Sequence, residues 1–253
     1  MLRIIKIELF KLFYGKKLFY FYGGFAAVVF LLILYLRSVA SGSSFGIVIK
    51  TAIDTFSMLA VLIGVIQALI LFNQEIQQKT MKSLLVTPVK RGEILFSKLF
   101  ASIFSSFLIL IILYLTSIIT TTLLFGFFEV GLYSSSTENI LTFMAGSIQI
   151  ITSFFTTIFY STTIICIFLI TDSLSISLVG VVLLRGLGEL ISRKLVDQTN
   201  LLLYFSPLGI LNISNPISTN QPIMGYTIQL LLSICYSIVI FYICIKLFES
   251  KEF

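Results

Sequence analysis

The chain has 253 residues, 58% of them hydrophobic and 11% charged, with a mean hydropathy of +1.08 and a net charge of +6. A soluble domain carries about 25% charged residues, so a water-soluble fold is excluded. The absence of histidine removes His-based metal sites, histidine triads and the commonest proton relay.

The apolar runs repeatedly exceed the roughly 20 residues that cross a bilayer core of about 30 Å. The expectation is an all-α membrane protein, a single transmembrane domain over 1–253. A basic excess in such a protein reports which loops face the cytoplasm and does not imply nucleic-acid binding. Cys166, Cys235 and Cys244 lie inside apolar runs and read as small packing residues.

Residues 1–15 are too charged to span. Leu2, Ile5, Leu9, Leu12 and Phe13 recur at three- and four-residue intervals, with Arg3, Lys6, Glu8 and Lys11 mainly opposite. That pattern predicts an amphipathic helix lying in the headgroup region. A cleaved signal peptide is disfavoured by Glu8, by the lysines just before the apolar run and by the lack of an A-x-A-like site.

Six spans follow, at 18–36, 55–72, 94–125, 141–170, 174–190 and 223–247. A Ser/Gly-rich loop at 38–50 separates the first two, and a polar loop at 129–139 separates the third and fourth. Thr171-Asp172-Ser173 is a minimal break, and 191–222 holds three of the four prolines. Six spans put both termini on one side. That side, taken with residues 73–98 and the 171–173 break, carries twelve of the seventeen Lys and Arg residues, so it is expected to be cytoplasmic.

The 73–98 segment is a polar anomaly, with seven of the chain's twenty-eight charged residues in about a tenth of its length. Met81, Leu84 and Leu85 share one helical face among Lys79, Lys82 and Ser83. Pro88 ends that helix and biases Thr87 away from helical geometry. A short helix over 79–87, apolar on one face and basic at its rim, suits docking in a groove of a partner.

Arg185 and Glu189 are helix neighbours at four-residue spacing, with Gly186 and Gly188 between them. Read by themselves, they suggest that the fifth span ends near Leu184 with these charges at the outer interface. Serines and threonines recur along the third and fourth spans. They read as close-packing residues more than as the lining of a path.

The pattern Glu75-x-x-x-Lys79-Thr80-x-x-x-Leu84-Leu85-x-x-Pro88-x-x-Arg91-x-x-x-x-x-x-Lys98 resembles the cytoplasmic loop of type-2 ABC exporter permeases. There an acidic residue precedes a Gly-Thr pair, a leucine-containing short helix, a Pro-x-x-Arg turn and a lysine opening the third span. Lys79 departs from the usual glycine. Ser206-Pro207-Leu208-Gly209 is similar to the Ser-Pro-Phe-Gly element of that family's extracellular region.

The resemblance implies a non-catalytic permease subunit in a bacterial plasma membrane, with both termini cytoplasmic. No G-x-x-x-x-G-K-[ST] phosphate loop occurs in the chain. No cofactor is expected on the chain itself, and ATP and Mg would sit on two cytoplasmic ABC ATPase subunits. Residues 73–93 would be the coupling loop, with Glu75, Lys79, Thr80, Met81, Leu84, Leu85, Pro88, Arg91 and Lys98 its coupling residues. Arg185, Glu189, Ser206, Pro207 and Gly209 would belong to an extracellular gate within a re-entrant hairpin.

A second permease chain, identical or related, would complete the transporter in the lipid bilayer. By the same analogy the substrate is amphipathic, a peptide or antimicrobial peptide first, with lipid-like molecules or drugs as the alternative. An ion-coupled secondary transporter is the competing class. It calls for paired intramembrane acids and an internal repeat, and only Asp54 and Glu189 come near.

Overall fold

In lipid every backbone N–H and C=O must be paired within its own segment, and an apolar run achieves this as an α-helix. The computed structural model describes residues 2–14, 16–39, 45–77, 91–125, 136–196 and 223–250. These form seven α-helices: α1 (Leu2–Tyr14), α2 (Lys16–Val39), α3 (Phe45–Gln77), α4 (Arg91–Phe125), α5 (Ser136–Thr171), α6 (Leu174–Val196) and α7 (Ile223–Ser250). No strand occurs among the described residues.

Among the described residues, five helices are long and apolar enough to cross a membrane, through the stretches Phe19–Val39, Gly46–Asn73, Gly92–Leu124, Met144–Thr171 and Leu230–Ser250. In the described part of α6 the apolar stretch is Leu174–Gly186, shorter than these five. The third helix begins at Phe45 and takes in Lys50 and Asp54, which the sequence leaves just outside the second span. Four residues apart, these opposite charges attract each other along one helix, so neither has to sit in a loop.

The third helix is the hub, packed along both α4 and α5. Around it, α2 lies against α4, α7 against α5 and α4, and α6 against α5. Two apolar clusters fill this bundle. One joins α2 (Phe25, Val29, Ile33) to α3 (Ala52, Phe56) and α4 (Ile109, Leu113). The other joins α3 (Val65, Leu69, Phe72) to α4 (Leu95), α5 (Ile164, Phe168), α6 (Val181) and α7 (Cys244, Phe248).

Between the clusters lies a layer of small and hydroxyl residues. Ser102, Ser106, Ser153 and Thr157 are buried, and each hydroxyl donates to a carbonyl of its own helix three or four residues back. Satisfied in this way, they leave short side chains between the helices, which draws the backbones together. Gly64 of α3 is the closest point. A Cβ there would collide with Ser106 Oγ of α4 and meet Thr157 Cγ2 of α5 at 3.0 Å. Beside it, Tyr22 Oη of α2 shares a 2.6 Å hydrogen bond with Ser105 Oγ of α4. The Ser105 hydroxyl in turn donates to Gln67 Oε1 of α3 at 2.6 Å.

The break between α5 and α6 needs only two residues. Asp172 takes a left-handed conformation (φ 52°), which aspartate tolerates better than most residues. Its N–H still reaches the Phe168 carbonyl at 2.9 Å. Ser173 then caps α6, its Oγ accepting from the Ile176 N–H at 3.4 Å.

Candidate functional site

The polar segment joins the end of α3 to the start of α4, and the helical turns that flank it, its stem, are closely packed. Phe72 and Leu95 are buried there. A Cβ on Gly92 would touch Ile245 of α7 at 3.6 Å, and Phe96 meets Phe241 of α7 edge-on at 6.0 Å. The last turns of α7 therefore brace the first turns of α4.

Lys98 sits in the middle of this stem, and its side chain has no exposed surface. A buried ammonium is tolerated only with compensating partners. Its Nζ lies 3.6 Å from Glu8 Oε2 on α1 and 5.8 Å from the centroid of the Phe72 ring on α3, within cation–π range. Glu8, 4% exposed at its side chain, also accepts from Lys11 Nζ at 3.1 Å. One lysine thus connects α4, the end of α3 and α1. Phe13 adds a second α1–α4 contact, edge-on to Phe104 at 6.3 Å.

This arrangement corrects the expected orientation of α1. The sequence places Glu8 on a polar, outward face and the Ile5–Leu9–Leu12–Phe13 stripe toward lipid. Instead Glu8 is buried and that stripe is half-buried against α4 and α2, while Ile7, Phe10 and Tyr14 are exposed. The cause is Lys98, whose burial demands a carboxylate. The signal was available: Glu8 lies three residues after Ile5 and four before Leu12, inside the inward stripe, and Lys98 is a charge within an apolar run.

Among the other expected coupling residues, the backbone of Glu75 lies in the last turn of α3, and Arg91 opens α4; their side chains lie outside the described part. Lys79, Thr80, Met81, Leu84, Leu85 and Pro88 fall outside the described residues, as do Ser206, Pro207 and Gly209.

Arg185 is described, and it does not close a helix. It lies midway along α6, 7% exposed, with its guanidinium carbon 5.4 Å from the ring centroid of Tyr160 on α5. Both residues are eleven positions from the α5–α6 break, about 16 Å along their helices at 1.5 Å per residue. Glu189 follows one turn later on α6, its side chain outside the described part. Among the described residues no three His, Cys, Asp or Glu side chains gather as metal ligands.

A family profile described as ABC-2 family transporter protein matches residues 4–185. The chain belongs to the ABC-2 transporter family. No curated protein matches it. The matched region runs from α1 to Arg185 and so includes Glu8, Phe72, Lys98 and both ends of the polar segment. As an ABC-2 transporter protein the chain is a multi-pass membrane permease subunit, working with an ABC ATPase in a lipid membrane.

Proposed function

We propose that the chain is the permease half of an ATP-driven exporter, with residues 79–87 as the coupling helix that docks in a cytoplasmic ATPase. Six crossings, both termini cytoplasmic, bring the 73–93 loop to the ATPase side, and α6 supplies the fifth of them. Two ATPase subunits carry the ATP and Mg, and two permease chains complete the transporter. The observation that carries this reading is the buried Lys98, which ties the stem of the polar segment to α1 and to Phe72. A push on the segment is thereby delivered to α1, α3 and α4 together.

An amphipathic peptide is the substrate favoured here, with lipid-like molecules or drugs next. What supports it is the scarcity of fixed charge in the described spans, where buried hydroxyls such as those of Ser102, Ser106, Ser153 and Thr157 already donate within their own helices. Arg185, with Glu189 one turn on, and Ser206-Pro207-Leu208-Gly209 mark the extracellular gate in this scheme.

The test is co-purification with the ATPase encoded beside it. Leu84→Asp with Leu85→Asp is expected to abolish both ATPase binding and stimulated hydrolysis, and retention of both would sink the docking assignment. A cysteine introduced at Gln78 is expected to resist an impermeant thiol reagent added from outside the cell. Expression of both subunits should raise the dose of an amphipathic antimicrobial peptide needed to kill the host. An unchanged dose across a peptide panel would move the substrate to lipids or drugs.

A further inference from the structure

Two of the three cysteines meet across helices, and the exporter reading gives neither a role. Cys166 lies in the last two turns of α5 and Cys244 in the last two turns of α7, and both thiols are free. The Cys244 thiol donates to the Thr162 carbonyl of α5 at 3.8 Å. In α-helical geometry that carbonyl also accepts from the N–H four residues on, which belongs to Cys166. Cys166 packs besides against the buried apolar cluster that contains Cys244. The two cysteines therefore converge on one carbonyl from two helices.

Their surroundings suit a stepwise oxidation. Cys166 is half-buried and Cys244 is fully buried, so a small solute meets Cys166 first, with Cys244 behind it. The site is apolar. Thiols and disulfides are neutral, whereas a sulfinate there would bury an unpaired charge. Disulfide closure is the end product that such a site favours. Its position bears on the rest of the bundle. Ile245, next to Cys244, is the residue that Gly92 of α4 approaches, and Phe241, one turn earlier, meets Phe96 of α4. A covalent tie at Cys244 would hold α7 to α5 at the place where α7 braces α4.

We propose that Cys166 and Cys244 are a peroxide-sensitive thiol pair whose disulfide fixes α7 to α5 and stiffens the first turns of α4. Hydrogen peroxide, small and uncharged, is the oxidant. The Cys166 sulfur attacks one peroxide oxygen, the O–O bond breaks, and the thiol proton leaves with the departing hydroxide as water. The Cys244 sulfur then attacks the resulting sulfenic sulfur, the S–O bond breaks, and a second water is released. The two thiols lose two electrons and the peroxide gains them. Slowing of transport by this tie rests on the exporter reading of the α3–α4 segment; the thiol chemistry does not.

The test uses the full-length chain in nanodiscs without the ATPase, with Cys235→Ser removing the exposed third thiol. After dilute hydrogen peroxide, the chain is unfolded in N-ethylmaleimide. Its mass is expected to fall by two hydrogens with no maleimide added, and peptide mapping should place the link between residues 166 and 244. In the folded chain, hydrogen exchange of the amides at 92–98 should slow several-fold on oxidation and recover with dithiothreitol. Cys166→Ser in the same background should form no link within the chain and show no such slowing.

Sulfinic acid at Cys166 without a link, two thiols still open to the maleimide, or unchanged exchange at 92–98 in the linked chain would each overturn the proposal. Neither readout involves ATP or the ATPase. A failure here therefore counts against the thiol pair alone, and retained ATPase binding by the Leu84→Asp/Leu85→Asp chain counts against the docking assignment alone.

Discussion

At the scale of single residues, the two tightest constraints are one buried charge and one missing side chain. Removing one partner of a buried ion pair strands the other, which costs about 3–5 kcal/mol, whereas replacing both by apolar or neutral groups is often close to neutral. Glu8→Gln alone is therefore expected to lower the thermal midpoint of the purified chain well below that of the Glu8→Gln/Lys98→Met double variant. Additive losses in that cycle would show that the pair is not a unit. Gly64 makes the opposite demand. A methyl group there meets Ser106 and Thr157 at once, and overpacking of this kind costs about 1–3 kcal/mol. Gly64→Ala should destabilise the bundle by that amount, and Ser106→Gly should recover part of it. A Gly64→Ala chain that melts like the wild type would refute the close approach of α3 and α4.

Among the elements, the placement of helices was largely legible, because a twenty-residue apolar run in lipid has little choice but to be helical. The Thr171–Ser173 break was legible too, from three polar residues between two apolar runs. The facing of α1 was only partly so: Glu8 falls inside the Ile5–Leu9–Leu12 stripe, but Ile7, Phe10 and Tyr14 make a second apolar stripe beside it. The partner of Lys98 was not legible, because it lies ninety positions away on a helix that local periodicity treats alone. The wedge at Gly64 left no sequence signal either, because a glycine in a span reads the same whether or not a neighbour fills the space beside it. Packing of α5 against α7 offers a direct check on the element arrangement. Cys166 of α5 packs against the apolar cluster that holds Cys244 of α7, while Cys235 is exposed on α7. A short thiol-to-thiol reagent is expected to join Cys166 to Cys244 within one chain, and peptide mapping would detect the link. A link from Cys166 to Cys235 instead would mean that α7 is rotated or shifted.

For the whole molecule, the question is whether binding the ATPase and transmitting its motion are separate tasks of separate residues. Leu84 and Leu85 lie on the proposed docking helix, whereas Glu8 and Lys98 pair between α1 and α4 and are proposed to transmit motion rather than to bind. The Glu8→Gln/Lys98→Met chain keeps the packing of α1 on α4 through Phe13 and Phe104 but loses the charge tie between them. If the segment moves α1, α3 and α4 as a unit, this variant should still co-purify with the ATPase in full yield. Its substrate-stimulated hydrolysis should fall by about 2- to 30-fold, the range that coupling changes of 0.5–2 kcal/mol produce. The Leu84→Asp/Leu85→Asp chain should lose binding itself. Normal stimulation in the first variant would show that packing alone transmits the motion and that the ion pair serves only stability. Loss of binding in both would place α1 within the docking surface, because only a helix in contact with the ATPase makes its release depend on Glu8.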